Sequence, residues 1–261
     1  MAGLAGTRDT TVALLEADPD LGEDLADDQR ALAGQAALAH LVRFGRGADP
    51  APRDGFDPRG HLGLLILDGL IARRVTIGDR TCAELLGEGD ILRPWLRSGP
   101  ADSALVEVGW RVVQPIALAV LDAAFARRIA RWPEIGARLG DRMVLRARWL
   151  AFHLAVCHLV RVEERVHLVF WHLADRWGRV TPEGIVIPVP LTHTLLANVI
   201  GARRPSTTTA IGRLGERGLL ERRPDGSWLL HGDPPETFDD LHGQLTGRGE
   251  EDQVLEDDGE A

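Results

Sequence analysis

Residues 201–218 read GARRPSTTTAIGRLGERG. Two adjacent arginines and a proline stand ahead of a run of hydroxyl residues, an arrangement that a helix built only to fill a core does not need. Pro205 suits the first turn of a helix, where its missing N–H would have no intrahelical acceptor. Thr207, Ala210, Ile211 and Leu214 then recur at i, i+3, i+4 and i+7, the spacing of one buried face. The opposite face carries Arg204, Ser206, Thr208, Thr209 and Arg213, guanidinium groups for paired acceptors and short hydroxyls for phosphate or base edges. Gly218 ends the helix.

Reading outward, the preceding stretch THTLLANVIG begins at Thr192, a helix cap, and turns Leu195, Leu196, Val199 and Ile200 inward before Gly201 permits a sharp turn. Downstream, LLERRPDGSWLLHG reads as two strands around a Pro-Asp-Gly turn, with Arg222 and Arg223 at the edge of the resulting wing. Helix, turn, helix and wing form a winged helix-turn-helix, whose second helix fits the major groove of double-stranded DNA. The expected DNA-binding residues are Thr192, His193, Arg203, Arg204, Ser206, Thr208, Thr209, Arg213, Arg222 and Arg223. Upstream, RVEERVHLVFWHLADRWG at 161–178 has an apolar face through Val162, Val166, Val169, Phe170, Leu173 and Trp177 and is a further helix; RVTPEGIVIPVP after it is a short hairpin.

The rest of the chain divides by pattern. Residues 1–40 form an acidic, Ala-rich extension, helical in parts, and FGRGADPAPRDGFDPRG at 44–60 is a loop. From there to residue 128 short apolar runs alternate with turn residues: HLGLLIL, Asp68-Gly69, LIARRVTI, Gly78-Asp79, RTCAELL, GEGD, then ALVEV, WRVV and IALAVL. Such spacing implies a small antiparallel β-roll over 41–128. Residues 129–160 shift to a helical period, with Pro133 in a first turn and Ile135, Leu139, Met143, Leu150 and Val156 on one face. A helix-turn-helix protein commonly sets two recognition helices about one DNA turn, ~34 Å, apart, so this helix is expected to join two subunits as a homodimer. The winged helix then covers 161–233 and an acidic, disordered tail 234–261. The fold class is α+β.

Composition narrows the function. The net charge of −9 over 261 residues lies wholly in the last stretch, where ten acids from Glu236 to Glu260 face Arg248 alone; the remainder sums to zero. Every cationic side chain is arginine, so arginine content by itself does not argue for nucleic acid. The longest uncharged apolar run, WLAFHLAVCHLV, falls short of the ~20 residues a bilayer needs, and MAGLAGTRDT has no basic-then-apolar leader pattern, so no membrane partner and a cytoplasmic location are expected. Cys82 and Cys157 are too few for a disulfide framework. His153 and Cys157 share a helix face, with His158, His167 and His172 near in sequence, but their mixed spacing leaves polar positions beside an interface as the expectation and no metal. Trp95, Trp110 and Trp149 are candidates to line a cavity. No phosphate-binding loop, dinucleotide fingerprint or nucleophile elbow occurs, and no enzyme activity is expected.

With these parts in this order, the chain resembles the family of the cyclic-AMP receptor protein and the fumarate-nitrate regulator, the Crp/Fnr transcriptional regulators, over residues 41–233. The resemblance is most specific in LTHTLLANVIGARRPSTTTAIGRLGERGLLERR, through Thr192, Ala197, Gly201, Arg204, Leu214, Gly218 and Leu219, and less so in LDGLIARRV and LLGEGDIL. It implies a cyclic-nucleotide-binding-like roll, a dimerisation helix, sequence-specific DNA binding, and RNA polymerase as a further partner. Two departures stand out. Pro205 and Thr209 occupy places where the family often has Glu and a second Arg. After GEGDIL the chain reads RPWLRSGPADSALVEV, without the Gly-Glu pair and later arginine that hold a cyclic phosphate. A buried phosphate there would lack charge-assisted hydrogen bonds worth roughly 1.5 to 3 kcal/mol each, so no cyclic-nucleotide cofactor is expected, and the roll senses another signal or none. The alternative reading is a ligand-sensing protein whose winged helix docks a protein partner instead of DNA.

Overall fold

The computed structural model describes residues 7–51, 57–95, 106–235 and 238, in two compact units, 1–146 and 147–261. The acidic tail from Glu236 onward, apart from Phe238, and the 96–105 part of the segment that follows GEGDIL lie outside the described residues.

The N-terminal unit is built on a six-stranded antiparallel sheet. Its strands are β1 (Thr7–Ala13), β2 (Leu38–Phe44), β3 (Gly63–Ile77), β4 (Arg80–Leu86), β5 (Ile91–Leu92) and β6 (Val106–Leu121), in the order β1-β2-β6-β3-β4 with β5 on β3. Between β1 and β2 lie the short helix α1 (Leu14–Ala17), a 3-10 turn at Pro19–Gly22 and α2 (Asp27–Ala36); α3 (Ala123–Ile129) follows β6.

Both sheet faces are covered, which explains why HLGLLIL and IALAVL are nearly continuous apolar runs rather than alternating ones. Leu64, Ile66, Leu118 and Val120 enter the roll interior with Val42, Ile71, Leu86, Leu92, Trp110 and Val112. Their neighbours Leu65, Ala119 and Leu121 face the other way, onto Leu14, Leu21, Leu25, Phe125, Ile129 and Trp132. Asp122 caps α3 by accepting the Phe125 N–H at 2.7 Å.

The acidic extension is therefore not a separate lead-in. β1 pairs with β2, and Leu14, Leu21 and Leu25 after it are buried, while their acidic neighbours reach arginines of the long helix α4 (Pro133–His158). Arg142 forms a two-pronged pair with Asp18, and Arg138 does so with Asp24. The charge count of this segment hid an inward leucine spacing at 14, 21 and 25. Pro133 opens α4 as expected, but Ile129 closes the separate α3, so the helix does not begin at 129. Along α4, Ile135, Leu139 and Val156 are buried, whereas Met143 and Leu150 are exposed together with Leu154.

Asp68-Gly69 is not a hairpin turn. β3 runs through it, pairing with β6 on both sides, and the register slips between Ile66 and Ile71. This is a bulge that bends two long strands so that one pair serves both halves of the roll. Gly69 has φ +91°, and a Cβ there would lie 2.1 Å from the carbonyl oxygen of Pro115. Pro115 has no N–H to contribute, so it fits where the ladder is already broken. Gly69→Ala is expected to destabilise this unit by about 2 kcal/mol or more, from strained backbone and steric overlap together, read as a lower urea midpoint; an unchanged midpoint would refute the bulge constraint.

Candidate nucleic-acid interface

The C-terminal unit contains the last turns of α4, then α5 (Val162–Trp177), β7 (Arg179–Thr181), β8 (Gly184–Ile187), α6 (His193–Val199), α7 (Arg204–Glu216), β9 (Leu220–Arg222) and β10 (Trp228–Leu230). α5 is its central helix, buried from Val166 through Ala174 except at His167. The expected hairpin and the expected wing are one sheet, ordered β7-β8-β10-β9, with Trp228 opposite both Ile187 and Arg222. Strand pairing across forty residues carries no local sequence signal, so the sequence showed the two hairpins and not their union.

The helix-turn-helix is made by repeated local chemistry. The Thr192 hydroxyl accepts the Leu195 N–H at 3.1 Å and starts α6, whose Leu196, Ala197 and Val199 are buried. Gly201, at φ +62°, ends it, and the Ala202 N–H reaches back to the Ala197 carbonyl at 2.9 Å. α7 ends in the same way: Gly218 lies at φ +69° and the Leu219 N–H bonds the Leu214 carbonyl at 2.9 Å. Both are the six-residue closure that a left-handed glycine allows.

On α7, Thr207, Ala210 and Leu214 are buried and Ile211 half-buried. Arg203, Arg204, Ser206, Thr208, Thr209 and Arg213 are exposed, as are Thr192 and Arg222; His193 and Arg223 are half-buried. The expected residues thus lie on three pieces of one unit: the start of α6, the outer face of α7, and the wing. His193 links them. Its Nδ1 lies 3.0 Å from the Thr208 hydroxyl, and burial, then Arg222, then Arg204, hold its pKa below the ordinary histidine range. Arg222 also lies over the Trp228 ring, 5.6 Å from its centroid. In the wing turn, the Asp225 carboxylate accepts the Ser227 hydroxyl at 2.6 Å and the Ser227 N–H at 2.9 Å; these bonds, the side-chain one first, lower its pKa. The Asp-x-Ser spacing signals this turn in the sequence, although only Pro-Asp-Gly was singled out.

One expectation about the hydroxyls changes. Thr207, Thr208 and Thr209 each donate to the carbonyl four residues back, on Arg203, Arg204 and Pro205, at 3.1, 3.0 and 3.2 Å. Thr209 consequently turns lone pairs outward in this arrangement, suited to an N–H donor and not to a phosphate oxygen, whereas the Thr208 oxygen accepts from His193 Nδ1.

His153, His158, His167 and His172 do not form one cluster. His153 and His172 stack edge to face at 5.1 Å beside Trp149 and Phe152, His158 is exposed, and Cys157 packs at the Gly201 turn. Among the described residues no group of three or more His, Cys, Asp or Glu could hold a metal ion. Trp110 lies in the roll interior, Trp95 makes an edge contact with His61, and Trp149 packs on His172 in the other unit. A cavity of about 130 Å³ in the N-terminal unit is lined by His61, Leu62, Ile91, Arg93, Leu139 and Met143 among others. Phe238 is buried and meets Phe152 edge to face. No described helix is long and apolar enough to cross a membrane.

Residues 164–232 match the family described as the Crp-like helix-turn-helix domain. Among solved structures, a CooA mutant from Carboxydothermus hydrogenoformans is similar at 15% identity and TM-score 0.59, covering 92% of this chain and 97% of its own. A cyclic nucleotide-binding domain containing protein from Listeria monocytogenes EGD-e is similar at 15% identity and TM-score 0.59, covering 78% and 97%. CLP, a c-di-GMP responsive global regulator of Xanthomonas campestris, is similar at 18% identity and TM-score 0.53, covering 79% and 100%. No curated protein matches the sequence.

His167 yields a test of the unit's core. Its Nε2 accepts the Trp171 indole N–H at 3.0 Å, which requires a neutral ring, and burial first, then Arg217, lower its pKa against the pull of Glu163. Above about pH 6.5 the ring is neutral in both folded and unfolded chains. As pH falls further, the unfolded chain takes the proton first, and stability is lost until the lowered folded pKa is passed. Urea midpoints at pH 7.5 and 5.5 should show a smaller acid loss in His167→Gln than in the wild type; equal losses would contradict this assignment. Residues 164–232 thus match the Crp-like helix-turn-helix domain, and the chain shares its fold with the CooA mutant and the Listeria monocytogenes protein.

Proposed function

We propose that the chain is a homodimeric, sequence-specific DNA-binding regulator of transcription. One observation carries this reading: α7 buries Thr207, Ala210 and Leu214 and leaves Arg203, Arg204, Ser206, Thr208, Thr209 and Arg213 exposed, beside a wing bearing Arg222 and Arg223. Arg204 reads a base edge, with guanine as the preferred partner of a guanidinium, and Arg203, Arg213, Arg222 and Arg223 hold phosphates. Dimerisation through α4 is supported by Met143, Leu150 and Leu154, exposed at 45%, 39% and 63% on spacings of seven and four residues, which is a coiled-coil seam. For the roll, a signal other than a cyclic nucleotide is supported by the absence, after GEGDIL, of a Gly-Glu pair and of an arginine directly before Ser103-Ala104. Such a signal must bind one arrangement of the two readers better than the other to shift their balance.

Selection of duplexes from random sequence, followed by anisotropy titration across salt concentrations, tests the reading. Arg204→Ala should weaken binding to the selected duplex by roughly 1 to 3 kcal/mol and relax preference at one base position. Arg222→Ala or Arg223→Ala should weaken all duplexes alike and reduce the salt slope by about one. Binding that is insensitive to salt would favour a protein partner and overturn the DNA assignment. Leu150→Asp with Leu154→Asp should convert the chain to a monomer in sedimentation and lower affinity for the selected site; a persisting dimer would exclude α4 as the seam.

A further inference from the structure

Arg165 lies one turn into α5, near the N-terminus of that helix, where the macrodipole favours the neighbouring Glu163 and Glu164 and disfavours a cation. Its partners account for it. Nε donates to the Leu159 carbonyl at 2.7 Å, and Nη1 is shared between the carbonyls of Ile200 and Gly201, each at 3.3 Å. Leu159 follows the last residue of α4, and Ile200 and Gly201 follow the last residue of α6. Two helix C-termini, each carrying unsatisfied carbonyls and partial negative charge, thus converge on one planar cation.

The approach is close on the other side of the turn as well. A Cβ on Gly201 would lie 3.1 Å from the Cys157 sulfur in the last turn of α4, so the turn backbone rests directly on that helix end. Two residues beyond Gly201 the outer face of α7 begins, at Arg203 and Arg204. At the far end of α7, Arg217 pairs with Glu163 at 2.6 Å, but Arg217 itself is 62% exposed, which weakens the pair. The Arg165 contacts with Leu159 and Ile200 are part-buried, and they bear on the end of α7 that carries the base-reading arginine.

We propose that Arg165 is the positioning residue for DNA recognition: it fixes the turn between α6 and α7 to the α4–α5 junction and thereby sets where Arg204 is presented. The role rests on the DNA reading above. It touches no DNA, so its signature is a loss of discrimination rather than of general binding.

The test compares wild type, Arg165→Gln and Arg165→Lys, using the duplex selected by the wild type and a scrambled duplex of equal length. Arg165→Gln should lose at least about tenfold on the selected duplex while scrambled-duplex affinity and salt slope stay within about twofold, because the phosphate-facing arginines are untouched. Arg165→Lys keeps the charge but cannot bridge the carbonyls with one planar group, and should fall between. Equal losses on both duplexes, or none on either, overturn the proposal. Amide hydrogen exchange in Arg165→Lys, which tests the clamp even if the glutamine variant does not fold, should be faster at 201–207 and unchanged in β8 and β10; unchanged exchange at the turn also overturns it. If the wild type selects no duplex, the DNA reading fails, and the exchange comparison still decides whether Arg165 holds the turn.

Discussion

The burial of Thr207, Ala210 and Leu214 beneath α7 is the constraint from which the exposed arginine face of that helix follows. A helix packed along one stripe has no freedom to choose what it shows on the other, because the 3.6-residue period assigns every remaining side chain a direction. Rotating α7 by one residue would drive Thr208 or Arg213 into the apolar surface of α5 and leave a buried guanidinium without partners, a cost of several kcal/mol in most settings. Thr207 shows how tightly the seam is drawn: fully buried, it spends its hydroxyl proton on the Arg203 carbonyl and presents only its methyl group and carbon stem to the core. Exposure of the arginines is therefore a result of packing, not an accident of surface composition.

Much of this was legible in advance, for a physical reason. Caps, left-handed glycines and a 3.6-residue apolar stripe are written into adjacent residues, and the elements they specify, from Thr192 to Gly218, fold as the spacing requires. What depends on residues distant in the chain was not legible. The union of β8 with β10, the seating of Leu14, Leu21 and Leu25 under the sheet, and the passage of β3 through Asp68-Gly69 are all set by long-range pairing. At Asp68-Gly69 the local rule pointed to a turn, and the strand pairing across to Pro115 overrode it. The hydroxyl orientation of Thr208 and Thr209 escaped for the opposite reason: it is too local, a rotamer preference of threonine within a helix that residue type alone does not fix.

Charge misled most at the N-terminus. An acid-rich segment suggests a solvated face, and here acids do lie outward, yet Asp18 meets Arg142 with both side chains mostly buried, at 12% and 17% exposure. The same segment contributes a strand and, through Leu14, Leu21, Leu25, Ala33, Ala37 and Ala39, a substantial share of a core cluster. Net charge describes the average environment of a stretch, whereas folding responds to the few leucines in it.

The shared strand β10 has a mechanical consequence for the wing. A two-stranded ribbon standing alone is marginally stable in water. Here β10 has a neighbour on each side, Trp228 is buried beneath it, and Arg222 is steadied over that ring. If the wing contacts DNA as proposed, it does so already ordered, with little chain entropy left to surrender. Such preorganisation prolongs the lifetime of a complex more than it speeds the encounter, so the wing would act as a brake on departure.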